Sequence, residues 1–156
     1  MSDTQEISDL IARLLLAVDR LDWAGVRRAF SERVVTDYTS LFGGSVSELS
    51  ADEVIAGWRQ LLPGFDATQH LIGPVVVSAN RGTITAETTV RGYHHLREVP
   101  GGSTWMVAGI YSFAVTAAAD GWQIESMKLS LAYQEGNTAL VQLARDRVAA
   151  GQTRRV

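Results

Sequence analysis

From residue 70 to residue 133 the chain is mostly strand-forming sequence, with turns at Asn80-Arg81-Gly82, Pro100-Gly101-Gly102 and Asp120-Gly121. Val, Ile, Thr and aromatic residues crowd the stretches between these sites, and each site carries turn chemistry. Consecutive strands joined by such turns pair antiparallel. Residues 75–77, 83–99, 104–117 and 122–133 therefore predict a sheet built from hairpins.

The sequence on either side reads differently. Ile7, Leu10, Ile11, Leu14, Leu15 and Val18 recur at three- and four-residue steps, which predicts a helix over 4–21. Asp22 is placed to cap a second, short helix carrying Val26 and Phe30. A strand over 34–38 follows, then a loop over 39–49 containing Gly43-Gly44. Ser50-Ala51-Asp52-Glu53 has the spacing of a capping box, with Leu49 and Val54 as its hydrophobic staple. That helix runs through Leu62 and stops at Pro63-Gly64. Asn137 is set to cap a last helix to about Ala150, followed by a solvated Arg154-Arg155 tail. Helices followed by hairpins predict one α+β domain over 1–156, a curved antiparallel sheet wrapped around the N-terminal helices. Such a sheet makes a cone with an apolar pocket, the kind of site that orients a small molecule with a few polar groups.

Several function classes are excluded or disfavoured. Zero cysteines remove disulfides, thiolate metal sites and a cysteine nucleophile. Three histidines without His-x-x-x-His or Glu-x-x-His spacing argue against a metal centre, and no cofactor motif is present. A net charge of -3 with scattered Arg and Lys gives no nucleic-acid footprint. The opening Met-Ser-Asp-Thr-Gln-Glu is acidic where a signal peptide is basic, and residues 14–18 are too short to span a bilayer. A cytoplasmic protein is expected.

The groups suited to proton transfer are few. His70, in Thr68-Gln69-His70, opens a strand between polar and apolar neighbours, and an imidazole can take and return a proton near neutral pH. Tyr38 could stabilise a developing enolate in a pocket closed to bulk water. Asp37 points to the other face of a regular strand and reads as structural. Asp19 sits at the end of the first helix, where a carboxylate opposes the helix dipole. Of the adjacent His94 and His95, His94 belongs to the apolar series Val90, Gly92, His94, Leu96 and is expected to face inward. The four tryptophans read as core or interface.

Asp19 within Ala17-Val18-Asp19-Arg20-Leu21-Asp22-Trp23, Thr36-Asp37-Tyr38 and Gln69-His70-Leu71-Ile72-Gly73 occur in this order and spacing. Together they resemble the scytalone dehydratase and SnoaL-like cyclase family of the nuclear transport factor 2-like superfamily. The resemblance implies that His70 is the acid/base, that Tyr38 helps polarise a substrate carbonyl, and that Asp19 faces the cavity and orients a catalytic group. It also implies substrate contacts at Val18, His94, Ile110 and Ser130. Val18 stands where a second family phenol is expected. Ile110 stands where a second histidine is expected, so no Asp–His pair can form through that position. Tyr111 should then face outward with Tyr93 and Phe113, leaving apolar area for a homodimer or homotrimer contact.

The expected activity is a cofactor-independent dehydratase or cyclase acting on a small hydroxy-carbonyl metabolite, polyketide-like or aromatic, by enolate chemistry. The alternatives are a non-catalytic small-molecule-binding module and an isomerase of the same superfamily. Convergence of Tyr38 and His70 on one cavity distinguishes the enzyme from the binding module.

Overall fold

Helix α1 (Asp3–Asp19) begins where the Ser2 hydroxyl accepts the Gln5 N–H, and it turns Ile7, Ile11, Leu14, Leu15 and Val18 into the interior. Its end is abrupt. Leu21 takes a left-handed φ of 54°, which reverses the chain and lets Asp22 N–H reach back to Ala17 O at 2.8 Å. The Asp22 carboxylate then accepts Gly25 N–H at 2.9 Å and starts α2 (Trp23–Ala29). The computed structural model describes residues 2–154; Met1, Arg155 and Val156 lie outside it, and with them part of the expected tail.

Strand β1 (Phe30–Asp37) follows directly. The expected loop over 39–49 instead contains a one-turn helix, α3 (Thr39–Phe42), and strand β2 (Ser47–Ser50), paired antiparallel with β1. The Ser50 capping box forms as read, with Glu53 N–H on the serine hydroxyl and Ser50 N–H on the Glu53 carboxylate. It opens α4 (Ala51–Arg59), and a 3-10 turn at Leu62–Gly64 leads into the hairpins.

The remaining strands are β3 (Ala67–Ile72), β4 (Val76–Asn80), β5 (Thr83–His95), β6 (Thr104–Ala118) and β7 (Gly121–Gly136). The sheet order is β2-β1-β7-β6-β5-β3, with β4 also on β5. One pairing departs from the expected antiparallel sheet: β1 runs parallel to β7. Hairpin turns dictate the direction of consecutive strands only, and β1 meets β7 across most of the chain. The result is an α+β domain with a curved, unclosed, mixed sheet around the N-terminal helices. Among the described residues, no helix is long and apolar enough to cross a membrane.

Alternation along β6 decides what faces the helices. Trp105, Val107, Tyr111, Phe113 and Val115 are all buried, whereas Ile110 between them is 45% exposed. Tyr111 and Phe113 therefore belong to the core, not to the outer face expected for them. Burying such rings stabilises the fold by roughly 1.5–3 kcal/mol each, and the alternate series Met106, Ala108, Ile110, Ser112, Ala114 offers less apolar area in sum.

The last helix, α5 (Leu140–Ala149), packs on the 3-10 turn. A Cβ at Gly64 would stand 2.0 Å from the Ala144 carbonyl oxygen, so only glycine permits this approach. Asn137 does not cap α5 directly. Its Oδ1 accepts Ala139 N–H, and its amide donates to Pro100 O and Gly102 O, tying the β5–β6 loop to the helix start.

Candidate active site

Asp19, the last residue of α1, lies against β3 beside His70 and Thr68. One carboxylate oxygen accepts the His70 ring Nδ1–H at 2.7 Å, and the other accepts His70 backbone N–H at 2.8 Å. Thr68 adds a hydroxyl donor to the first oxygen at 3.0 Å. Both acid and imidazole are largely buried, their side chains 16% and 8% exposed. Burial alone would raise the pKa of Asp19; the His70 ring and backbone N–H and the Thr68 hydroxyl outweigh it, holding the carboxyl below its usual range. A carboxylate on Nδ1 fixes the tautomer and leaves Nε2 as the free basic nitrogen.

The C-terminal segment braces this pair. Arg154 donates to Asp19 O at 3.1 Å and to Thr68 Oγ1 at 3.2 Å, so the expected solvated arginine is half-buried and engaged.

His70 lines a cavity of about 250 Å³ between the sheet and helices α1, α3, α4 and α5. Its walls are mostly apolar, with Leu15, Val18, Trp58, Val90, Val107 and Met127 among them. Two phenols share it. Tyr38 does not lie within β1 but just past it, at the N-terminus of α3, and its hydroxyl reaches Met127 Sδ at 3.6 Å. Tyr111 enters from β6. Burial, reinforced by the neighbouring Tyr111 hydroxyl, pushes Tyr38 well above the usual phenol range. Burial likewise pushes Tyr111 up to about 12, although the Tyr38 hydroxyl draws it back in part. Both are protonated donors at neutral pH.

His94 stands across β3 and β5 from Thr68, its ring 6.1 Å from that of His70 and edge-on to it. Gly92 lies between the two rings, where a Cβ would come within 3.4 Å of His70 Nε2 and 3.5 Å of His94 Cε1. The His94 Nδ1–H donates to Trp105 O at 3.2 Å. Desolvation, helped by repulsion from His70, lowers it to about 4, so His94 is a neutral wall of the cavity. Among the described residues no three His, Asp or Glu side chains converge as metal ligands would. A wider groove of about 880 Å³ runs between α1, α2 and the β6–β7 turn, but it carries Arg13, Arg20, Asp22 and Arg28 and neither a histidine nor a phenol.

The comparisons with known proteins agree with this architecture. The SnoaL-like domain model matches residues 1–128. The chain belongs to the SnoaL-like family. The Kfla4162 protein of Kribbella flavida is 30% identical, with a TM-score of 0.82 over 92% of this chain and 97% of that one. A candidate scytalone dehydratase from Novosphingobium aromaticivorans superposes at TM-score 0.69 with 16% identity, covering 88% and 92%. The hexachlorocyclohexane dehydrochlorinase LinA type 3 of Novosphingobium barchaimii does so at 0.66 with 14% identity, covering 86% and 89%. These last two share the nuclear transport factor 2-like fold. A search of curated proteins returns no match.

Within this SnoaL-like domain, His70, Tyr38, Val18 and His94 line one cavity, and Asp19 sits behind His70. Ile110 and Ser130 do not line it. They are direct neighbours on the opposite face of β6 and β7, because inward phase on β6 belongs to Tyr111. Asp19 does have a histidine partner, on β3 rather than at position 110. Asp37 accepts Thr39 N–H and Oγ1–H and starts α3, a structural task. Trp58 and Trp105, read as core or interface, contribute to the cavity wall. Tyr111 and Arg145 are lining residues that sequence reasoning missed.

Proposed function

We propose that this SnoaL-like protein is a cofactor-independent lyase that removes water from a small β-hydroxy carbonyl compound. The observation that supports it most is the Asp19–His70 pair at the wall of an apolar cavity shared with Tyr38 and Tyr111. His70 Nε2 takes the proton from the carbon next to the carbonyl. Asp19 stabilises the imidazolium that forms, as a buried carboxylate on Nδ1 does in other proton-transfer sites. The phenols donate to the carbonyl oxygen as it becomes an enolate, and the apolar walls make those hydrogen bonds count. The imidazolium then returns the proton to the departing hydroxyl, so one C–H and one C–O bond break, a C=C bond forms and water leaves. Ring closure by aldol attack and double-bond isomerisation draw on the same enolate.

The test is an absorbance assay with aryl-substituted β-hydroxy ketones such as 4-hydroxy-4-phenylbutan-2-one, whose dehydration product is conjugated. Product formed faster than in buffer supports the reading; no acceleration across such a panel counts against it.

The reading extends to assembly. Leu71, Ile110 and Tyr133 are 50%, 45% and 44% exposed and border one patch on the outer face of the sheet. Cover by a second copy would remove that area from water. Light scattering of the protein and of Ile110→Glu tests it: a monomeric wild type at micromolar concentration is the contrary result.

A further inference from the structure

The cavity has one charged side chain at its rim. Its deep lining, Val90, His94, Val107 and Tyr111, is buried, whereas Phe42, Gly57 and Arg145 are exposed and mark the mouth. Arg145 comes from α5, and α5 is held close. Ala144 rests on Gly64 at backbone distance, and Arg147 donates to Gly64 O at 2.9 Å and to Asp66 Oδ1 at 3.1 Å. The residue between these anchors is thereby fixed at the rim. Arg147 and Arg154 spend their guanidinium groups on the protein. Among the described residues, Arg145 has neither a carboxylate within ion-pair distance nor a hydrogen-bond acceptor. No side chain in the cavity offers it a counter-charge.

We propose that Arg145 is a specificity residue that receives a carboxylate on the substrate, outside the apolar cavity that holds the rest of the molecule. This inference rests on the reading of the cavity as a substrate site and names the substrate class: a small hydroxy-carbonyl acid, apolar in its body and anionic at one end. A guanidinium offers paired, parallel N–H donors that match a carboxylate, and a rim position lets the anion stay partly hydrated while its apolar part is buried. Recognition at the mouth also orients the molecule, presenting its far end to His70.

The test is calorimetric titration of the full chain with 3-phenylpropanoate and with 3-phenylpropanamide, which differ at one end only. Wild-type protein should bind the acid about tenfold more tightly than the amide. Arg145→Gln should erase that preference by weakening the acid about tenfold, with the amide affected far less. His70→Ala should keep the preference, so the result stands or falls apart from the proton-transfer chemistry. Equal binding of acid and amide to the wild type, a preference that survives in Arg145→Gln, or no binding of either probe at millimolar concentration would overturn it.

Discussion

Asp19 grips His70 at two points, ring Nδ1–H at 2.7 Å and backbone N–H at 2.8 Å, across 51 residues of sequence. The backbone contact fixes where the strand runs, and the ring contact fixes which nitrogen faces the cavity. Asp19→Asn keeps the shape but loses the charge that stabilises an imidazolium, and an amide can turn its N–H₂ toward Nδ1 and reverse the tautomer. Turnover should fall roughly a hundredfold or more with KM changed far less, read from steady-state kinetics on a substrate the wild type turns over.

The two phenols should share one task. Tyr38→Phe and Tyr111→Phe should each lower turnover by roughly a hundredfold if each donates to the enolate oxygen. The double variant should fall well short of the product of the two losses, because the hydroxyls act on one another. Independent, multiplicative losses would separate them.

Arg154 tests whether the dyad needs its brace. Arg154→Gln removes donors from Asp19 O and Thr68 Oγ1. The expected outcome is about a tenfold loss in turnover at unchanged KM, with Arg154→Lys recovering part of it. A variant with wild-type turnover would make Arg154 a fold contact only.

Burial of neutral His94 links folding to pH. Its folded value of about 4 lies below the ordinary 6.5, so between those pH values the unfolded chain binds a proton that the folded protein refuses. The stability it contributes is complete above about pH 6.5 and is lost as pH falls toward 4, at most on the order of 3 kcal/mol. Asp19, also lowered, adds a loss of the same sign at lower pH. Urea denaturation of wild type and His94→Gln from pH 7 to pH 4 should show a smaller decline in the variant. Parallel declines would remove His94 from the account.

The legible parts of the fold were those written locally. The helix period through Leu14 and Val18, the Ser50 capping box, the Asp22 cap and the hairpin turns each depend on a few neighbouring residues. β2 and α3 were not legible, because a four-residue edge strand and a single helical turn are held by partners far away in sequence. His70, Tyr38 and Asp19 could be picked out as chemistry-bearing residues, but the union of Asp19 with His70 depends on where α1 ends over β3. Tyr111 left a usable signal. On β6 the series Trp105, Val107, Tyr111, Phe113, Val115 is bulkier than Met106, Ala108, Ile110, Ser112, Ala114, and side-chain size sets its inward phase better than the position of the resemblance's missing histidine. Arg145 left none, since the face a terminal helix shows to a cavity is decided by its docking at Gly64.

Proton transfer between His70 and carbon can be followed directly. Exchange of the α-hydrogens of 4-hydroxy-4-phenylbutan-2-one for deuterium, followed by proton NMR in D₂O, measures that step even where dehydration is slow. Wild-type protein should accelerate the exchange, and His70→Ala should lower the accelerated rate by roughly a hundred- to ten-thousandfold, the usual worth of a positioned acid/base. Exchange by His70→Ala at the wild-type rate would contradict the account.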